Sequence, residues 1–219
     1  DSNGKVVGRV AAIINQRSNE AWDTKNVRFG WIDFIDDFSV SKALLDTVAA
    51  WGKERGMTTM QGPMGFVDLD AEGLLIEGFD QLSTMATIYN YPYYQAHLEQ
   101  YGLEKDNDWV EFKINIPDAI PEKMKRIADL ISRKYGLHIK KLKDMKEVKE
   151  GNYGQKIFNL INNEYSHLYG YSRMSQKQID QYVNMYLPIL DLRMVTLIED
   201  ADDNLIGVGV SMPSLSKAL

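Results

Sequence analysis

The fold is decided by residues 26–60, which read NVRFGWIDFIDDFSVSKALLDTVAAWGKERGMTTM. The first nine residues are rich in aromatic and β-branched side chains, which predicts a long strand from Asn26 to Phe34. Ser39 is then the expected helix cap, and apolar residues at helical spacing predict an amphipathic helix as far as Gly56. Residues 57–60 predict a short strand parallel to the first, because a strand, a helix and a strand in this order form a crossover unit.

Composition indicates a globular protein with a packed core. The chain has 219 residues, of which 44% are hydrophobic and 26% charged, enough for one large or two small domains. The formal net charge is -6 and basic residues are interspersed with acidic ones, which argues against a nucleic-acid partner. Cysteine is absent and no apolar run is long enough to span a membrane. Disulfides and thiolate chemistry are therefore excluded, and a cytoplasmic protein without a membrane partner is expected.

Periodicity predicts further elements after residue 60. Apolar residues recur at helical spacing in four segments, residues 81–101, 120–136, 147–168 and 175–187. Strands are expected in four segments, residues 108–116, 138–142, 192–199 and 205–210. The last two strands enclose an acidic turn and are predicted to form a hairpin. Pro117 and Pro121 mark the expected linker.

Both ends of the chain read as interrupted elements. Asn3-Gly4 before an apolar run is typical of a hairpin turn, although no strand precedes it in the sequence. Pro213 similarly begins a helix pattern that stops after one turn. Aligning Gly8 with Gly207 superimposes the apolar pairs that precede the two glycines. The chain is therefore expected to be one period of an internal duplication.

This order of elements resembles the GNAT superfamily of acyl-CoA N-acyltransferases. Residues 33–56, followed by a short parallel strand, a helix ending in Leu98-Glu99-Gln100-Tyr101-Gly102-Leu103 and a last strand, resemble the second half of that fold. The part from His138 resembles its first half. Four stretches are also similar to a bacterial family of tandem GNAT-like repeats, namely residues 28–30, 51–57, 62–66 and 89–94.

The resemblance implies an α/β protein with a mixed sheet flanked by helices, built from two partial repeats. Residues 1–117 would be the second half of a first repeat, residues 118–137 a linker helix, and residues 138–219 the first half of a second repeat. Each half contains what the other lacks. The helix face at residues 157–168 and the strand at residues 192–198 are therefore expected to cover the sheet of the first half.

The resemblance also implies a site for the pyrophosphate of acyl-CoA on backbone amides at a helix start, here Ser39, Val40 and Ser41. This stretch has no glycine, and it follows Asp36 and Asp37, which would repel a pyrophosphate, so weak CoA binding is expected at this repeat. The family's general-acid tyrosine corresponds to Leu98, which cannot transfer a proton.

Aromatic residues provide the candidate substrate site. One short segment contains four tyrosines and one asparagine, namely Tyr89, Asn90, Tyr91, Tyr93 and Tyr94. They form either an acceptor pocket or part of the core and groove lining. Residues 65–73 have carboxylates at alternating positions between two glycines, and they fit a polar surface loop better than a calcium loop. The three histidines are far apart in sequence, so no metal site is expected.

The leading hypothesis for function is an acyl-CoA-dependent N-acyltransferase of the GNAT class that acts on an unidentified amine. The alternative is a non-catalytic GNAT-like module that binds a ligand or partner. Expected partners are a small-molecule amine or acyl-CoA, with completion of the fold by a second copy of the chain or by flanking segments of the same protein.

Overall fold

A computed structural model describes residues 3–84 and 87–214 and confirms a mixed α/β architecture. By backbone contacts the chain forms two compact units. The first includes the residues up to Trp109 together with His167–Arg173, and the second includes Val110–Ser166 and Met174–Pro213. Each unit contains a three-stranded sheet and its own helices.

The sheet of the first unit is mixed and has the order β1-β2-β3. Strand β1 (Gly8–Ile13) is antiparallel to β2 (Asn26–Phe34), and helix α1 (Gln16–Ala21) connects them. Strand β3 (Thr59–Gln61) is parallel to β2. Both the long strand and the short parallel strand predicted from residues 26–60 are thus confirmed.

Helix α2 (Phe38–Glu54) makes the crossover between β2 and β3. Its buried face includes Leu45 and Val48, which pack in one core cluster with Val27 and Phe29 of β2. The prediction that Ser39 caps this helix is wrong, because Asp37 has the extended backbone of a cap. The Asp37 carboxylate accepts both the N–H and the hydroxyl of Ser39, at 2.8 and 2.7 Å.

Two predictions for the segment after β3 are wrong. The predicted helix at residues 81–101 is only α3 (Tyr93–Tyr101), which starts after Pro92 and ends at the left-handed Gly102. Part of the longer prediction, residues 85 and 86, lies outside the described residues. The predicted strand at residues 108–116 has no ladder partner among the described residues, and its apolar side chains are 51–91% exposed. A strand needs a partner for its backbone groups, so alternation alone does not form one.

The second unit begins with α4 (Glu122–Tyr135), which ends at the left-handed Gly136 as predicted. The other elements follow as β4 (His138–Lys140), α5 (Met145–Glu150), α6 (Tyr153–Glu164), α7 (Gln176–Tyr186), β5 (Val195–Glu199) and β6 (Leu205–Val210). Two 3-10 turns, Leu187–Ile189 and Leu192–Met194, precede β5, so the predicted strand at residues 192–199 starts later than expected. The predicted helix at residues 147–168 is two helices, separated at Gly151 and Asn152.

The sheet of the second unit is antiparallel throughout, in the order β4-β5-β6. The predicted hairpin is confirmed as β5 and β6. The core contains Val148, Tyr153 and Leu197, with Ile157 of α6 packed against them. Strand β5 therefore pairs within its own unit, and the described residues form two three-stranded sheets. Completion of one half by the other stays a prediction.

The surface of α4 is unusually apolar. None of its residues is buried, and Met124, Ile127, Leu130 and Ile131 are 42–63% exposed. Within the described residues, no helix combines the length and the apolar character needed to cross a bilayer. The helix predicted from Pro213 falls largely on residues 215–219, outside the described residues.

Candidate active site around Arg28 and Glu72

The backbone amides at the start of α2, predicted to bind acyl-CoA, already have acceptors. The Ser39 N–H donates to the Asp37 carboxylate, and the N–H groups of Val40 and Ser41 lie 3.0 and 3.3 Å from the Asp37 carbonyl oxygen. The Val40 side chain packs against the core, and Ser41 is fully buried. A pyrophosphate at this position would have to displace the Asp37 carboxylate. Weak CoA binding at Ser39, Val40 and Ser41 stays a prediction.

A hydrogen-bonded chain joins Ser41, His97 and Asp36 beside this helix start. The Ser41 hydroxyl lies 2.9 Å from His97 Nδ1, and His97 Nε2 lies 3.0 Å from the Asp36 carboxylate. The Ser41 hydroxyl also donates to the Phe38 carbonyl at 3.1 Å. Because Ser41 has no exposed surface, its hydroxyl cannot attack a substrate. These hydrogen bonds instead link α3 to α2 and to the preceding Asp36.

The aromatic segment divides into structural and exposed residues. The Tyr94 ring stacks on Phe34 at 4.1 Å, and the Tyr93 hydroxyl donates to the Phe34 carbonyl at 2.6 Å. Asn90 is buried, with its amide bonded to both backbone groups of Leu75. Two others, Tyr89 and Tyr91, are each 59% exposed. Tyr94 and Asn90 therefore have structural roles, since they attach this segment to Phe34 and Leu75. The role of the segment as a substrate pocket remains a prediction.

The polar group that stands out in the first unit is a buried cation on β2. Arg28 is only 3% exposed, and its guanidinium donates to the Ser18 hydroxyl at 2.7 Å and to the carbonyls of Gly65, Phe66 and Gly170 at 3.2–3.3 Å. All four acceptors are neutral, so the positive charge of Arg28 is not cancelled by a direct carboxylate contact.

The loop after β3 packs directly on the β2 backbone next to Arg28. A Cβ on Gly30 would lie 2.3 Å from the Met64 carbonyl oxygen, so glycine is required for this approach. The Asp70 carboxylate accepts the N–H groups of Phe66 and Val67 at 2.9 and 3.0 Å, which closes the loop internally. The loop thus has a fixed shape that places its carboxylates near the cation.

Two carboxyl groups of this loop, Asp68 and Glu72, are half-buried in the field of Arg28. Burial, reinforced by Asp68, raises the pKa of Glu72 to about 7, against the opposing effect of Arg28. Burial also raises the pKa of Asp68, and Arg28 again opposes the change. Glu72 therefore gains and loses its proton near neutral pH, as a general acid or base requires.

A second polar group involves Tyr169, which is close enough to Arg28 to influence its pKa. The Tyr169 hydroxyl donates to the Asp106 carboxylate, and the Gln61 amide donates to the Tyr169 oxygen at 2.5 Å and to Asp106 at 3.0 Å. Burial, followed by the bond to Asp106, raises the pKa of Tyr169 to about 12. Tyr169 therefore stays protonated and is a hydrogen-bond donor, not a base.

The predicted site residues do not include this cluster. Residues 65–73 were expected to be a polar surface loop, whereas the structure half-buries Asp68 and Glu72. One sequence signal was available, since an arginine in the middle of an otherwise apolar strand must either reach solvent or find buried acceptors. The sequence does not show which carboxylates approach Arg28.

No family model matches the chain, and no solved structure matches it. Two curated relatives are similar to it. Protein YghO of Escherichia coli K12 is 33% identical over 132 residues, which cover 60% of this chain and 34% of that protein. The Bacterial ceramide synthase of Caulobacter vibrioides is 26% identical over 220 residues, which cover 99% of this chain and 55% of that protein. The chain therefore spans about a third to about half the length of these relatives.

Proposed function

We propose that this chain is part of an N-acyltransferase that joins an acyl group, carried as an acyl-CoA thioester, to an amine, with Glu72 as the general base. The observation that carries the reaction class is the similarity of 99% of the chain to a protein named Bacterial ceramide synthase. A ceramide is an amide of a fatty acid and a long-chain amino alcohol. The proposed substrates are accordingly a fatty acyl thioester and an amine.

The chemistry requires a group that removes a proton from the amine. An alkyl ammonium ion is not nucleophilic, so a base must remove a proton before the nitrogen attacks the thioester carbonyl carbon. The C–N bond then forms, the nitrogen loses a second proton, the C–S bond breaks, and the leaving thiolate takes up that proton. A carboxyl group with a pKa of about 7, such as Glu72, can accept the proton at neutral pH and release it again.

Arg28 has a supporting role in this proposal. Its buried charge opposes the rise in the pKa of Glu72, which keeps that carboxyl ionisable at neutral pH. Because the acceptors of Arg28 are neutral, its positive charge is not cancelled and acts on the nearby Glu72 carboxyl. Arg28 is therefore a positioning and electrostatic residue, whereas Glu72 is proposed to exchange the proton.

Membership of the GNAT class is the finer part of the proposal. It is supported by the β2-α2-β3 crossover. In the GNAT class the pyrophosphate of acyl-CoA binds to backbone amides at this helix start. Here Asp37 accepts hydrogen bonds from those amides, so acyl-CoA would have to bind differently. We propose that the phosphates of the donor are bound outside this helix start.

The test is amide formation by the chain with acyl-CoA donors of increasing length and a long-chain amino alcohol as acceptor. Released CoA is measured with a thiol reagent and the amide by mass spectrometry. Glu72→Gln should lower kcat on the order of 100-fold and abolish the increase of rate with pH around pH 7. Glu77→Gln, which removes an exposed carboxylate of the following loop, is the matched control and should leave the rate unchanged.

Two results would contradict the proposal. If Glu72→Gln retains full rate and the same pH profile, Glu72 is not the base. If acyl-CoA raises the melting temperature of the chain in a saturable way but no donor yields an amide, the chain is a non-catalytic ligand-binding module.

A further inference from the structure

A second cluster of polar side chains lies in the second unit, at the end of its sheet. His138, the first residue of β4, pairs in register with Glu199, the last residue of β5. Asp203 lies in the turn that joins β5 to β6 and has a left-handed backbone with φ of 59°. The strand pairing and the turn thus bring an imidazole and two carboxylates together from positions far apart in sequence.

The distances within this cluster fit ligands of one metal ion. His138 Nε2 lies 3.4 Å from Glu199 Oε2 and 3.5 Å from Asp203 Oδ1, and the three ligand atoms lie within 4.8 Å of one another. Ligands about 2.0–2.2 Å from a tetrahedral ion are about 3.3–3.6 Å from each other. Charge-assisted hydrogen bonds are shorter, at about 2.7–2.9 Å. The two contacts of His138 thus match ligand spacing better than direct ion pairing.

The buried carboxylate of Glu199 has the environment of a metal ligand. Glu199 is only 3% exposed, and its Oε1 accepts the Tyr153 hydroxyl at 2.8 Å. That bond fixes the carboxylate with Oε2 towards His138. Metal-binding carboxylates commonly have such a hydrogen-bonded support. A buried carboxylate also needs a positive partner, which an ion would supply.

The cluster is accessible from the surface. His138 and Asp203 have side-chain exposures of 46% and 82%. Asp203 also lines a shallow cavity of about 290 Å³, together with Lys156, Asn159 and Leu160 of α6. An ion held by the three side chains could therefore exchange with solvent and keep a position for a water molecule.

We propose that His138, Glu199 and Asp203 bind one divalent transition-metal ion, with Zn²⁺ as the best fit. One imidazole and two carboxylates suit Zn²⁺, whereas Ca²⁺ and Mg²⁺ bind through more oxygen ligands and water. The sequence led to an expectation of no metal site because cysteine is absent and the histidines are far apart, whereas strand pairing brings His138 to Glu199. This site is independent of Glu72 and of the proposed acyl transfer.

The experiment uses the whole chain without a histidine tag, treated with a chelator and then titrated with ZnCl₂ by calorimetry. One equivalent of Zn²⁺ should bind and raise the melting temperature. Co²⁺ in place of Zn²⁺ should give the visible absorption of a four-coordinate site with nitrogen and oxygen ligands. His138→Gln and Asp203→Asn change exposed side chains, so both variants should fold. Each should weaken Zn²⁺ binding on the order of 100-fold, at least as much as loss of a residue that supports a ligand.

Matched controls keep the site and remove similar groups. Asp202→Asn removes an exposed carboxylate one residue from Asp203, and His167→Gln removes an exposed imidazole elsewhere, so both should bind Zn²⁺ like the unaltered chain. Tyr153→Phe removes the support of Glu199 and should weaken binding about 10-fold or more. Absence of stoichiometric Zn²⁺ binding, or equal loss in Asp202→Asn and Asp203→Asn, would overturn the proposal.

Discussion

Replacement of Glu72 by glutamine should stabilise the first unit at alkaline pH and leave it unchanged in acid. Below the unfolded pKa of 4.5 the carboxyl is protonated in both states. As the pH rises towards about 7, the unfolded chain releases this proton while the folded chain retains it, so Glu72 makes folding less favourable. The loss of folding stability caused by Glu72 reaches its full size above about pH 7. Glu72→Gln should remove this loss.

The size of this effect follows from the change in pKa. A rise from 4.5 to about 7 corresponds to about 3.4 kcal/mol for a fully sequestered group, at about 1.36 kcal/mol per pKa unit. Because Glu72 is only half-buried, solvent screening reduces this to about 1–2 kcal/mol. We expect Glu72→Gln to be more stable by that amount at pH 8 and equal to the unaltered chain at pH 4.

Urea unfolding followed by tryptophan fluorescence reports this difference for the first unit of the chain. The chain has four tryptophans and all lie in the first unit, at Trp22, Trp31, Trp51 and Trp109. Glu77→Gln again serves as the control for the loss of an exposed charge. The reasoning fails if Glu72→Gln shifts the free energy of unfolding equally at pH 4 and pH 8, or lowers it at pH 8.

Three further changes test other parts of the structure. Ser41→Ala leaves His97 Nδ1 buried without its partner, so urea unfolding should show a loss of about 1–3 kcal/mol, and an unchanged midpoint would argue against the buried hydrogen bond. Ser175→Ala removes the capping box of α7 and should cost about 1 kcal/mol in thermal unfolding followed by circular dichroism, whereas no loss would mean that water replaces the cap. Ile127→Lys alters an exposed apolar residue of α4, so stability should change by less than about 0.5 kcal/mol while self-association in sedimentation falls; a large loss of stability would show that Ile127 is buried in solution.

Local patterns in the sequence were sufficient for much of the first unit. The long strand from Asn26, the amphipathic helix and the short parallel strand each follow from periodicity and turn residues within a few positions. The sequence does not identify the cap, because Asp37 and Ser39 are both good cap residues and only the backbone conformation distinguishes them. Residues 108–116 do alternate between apolar and polar side chains, but a strand also requires a partner.

The candidate sites depend on contacts between distant residues and could not be predicted in the same way. Arg28 meets carbonyl groups from residues 65 and 170, and Glu72 acquires its pKa from burial by a loop whose path is not encoded locally. His138 and Glu199 meet only because of the register of β4 and β5. A one-residue slip of that register would separate them.

The inclusion of residues 167–173 in the first unit has a consequence for synthesis on the ribosome. Asn15, Trp22 and Arg28 bond to Ser172, Tyr171 and Gly170, respectively. The segment ends 64 residues after Trp109, where the first stretch of this unit ends. At roughly 5–20 residues per second, the nascent first unit waits about 3–13 s for these partners. During that interval the Arg28 guanidinium lacks the Gly170 carbonyl and the Trp22 indole lacks the Tyr171 carbonyl, so both donors must bond to water although the strands of their sheet are already synthesised.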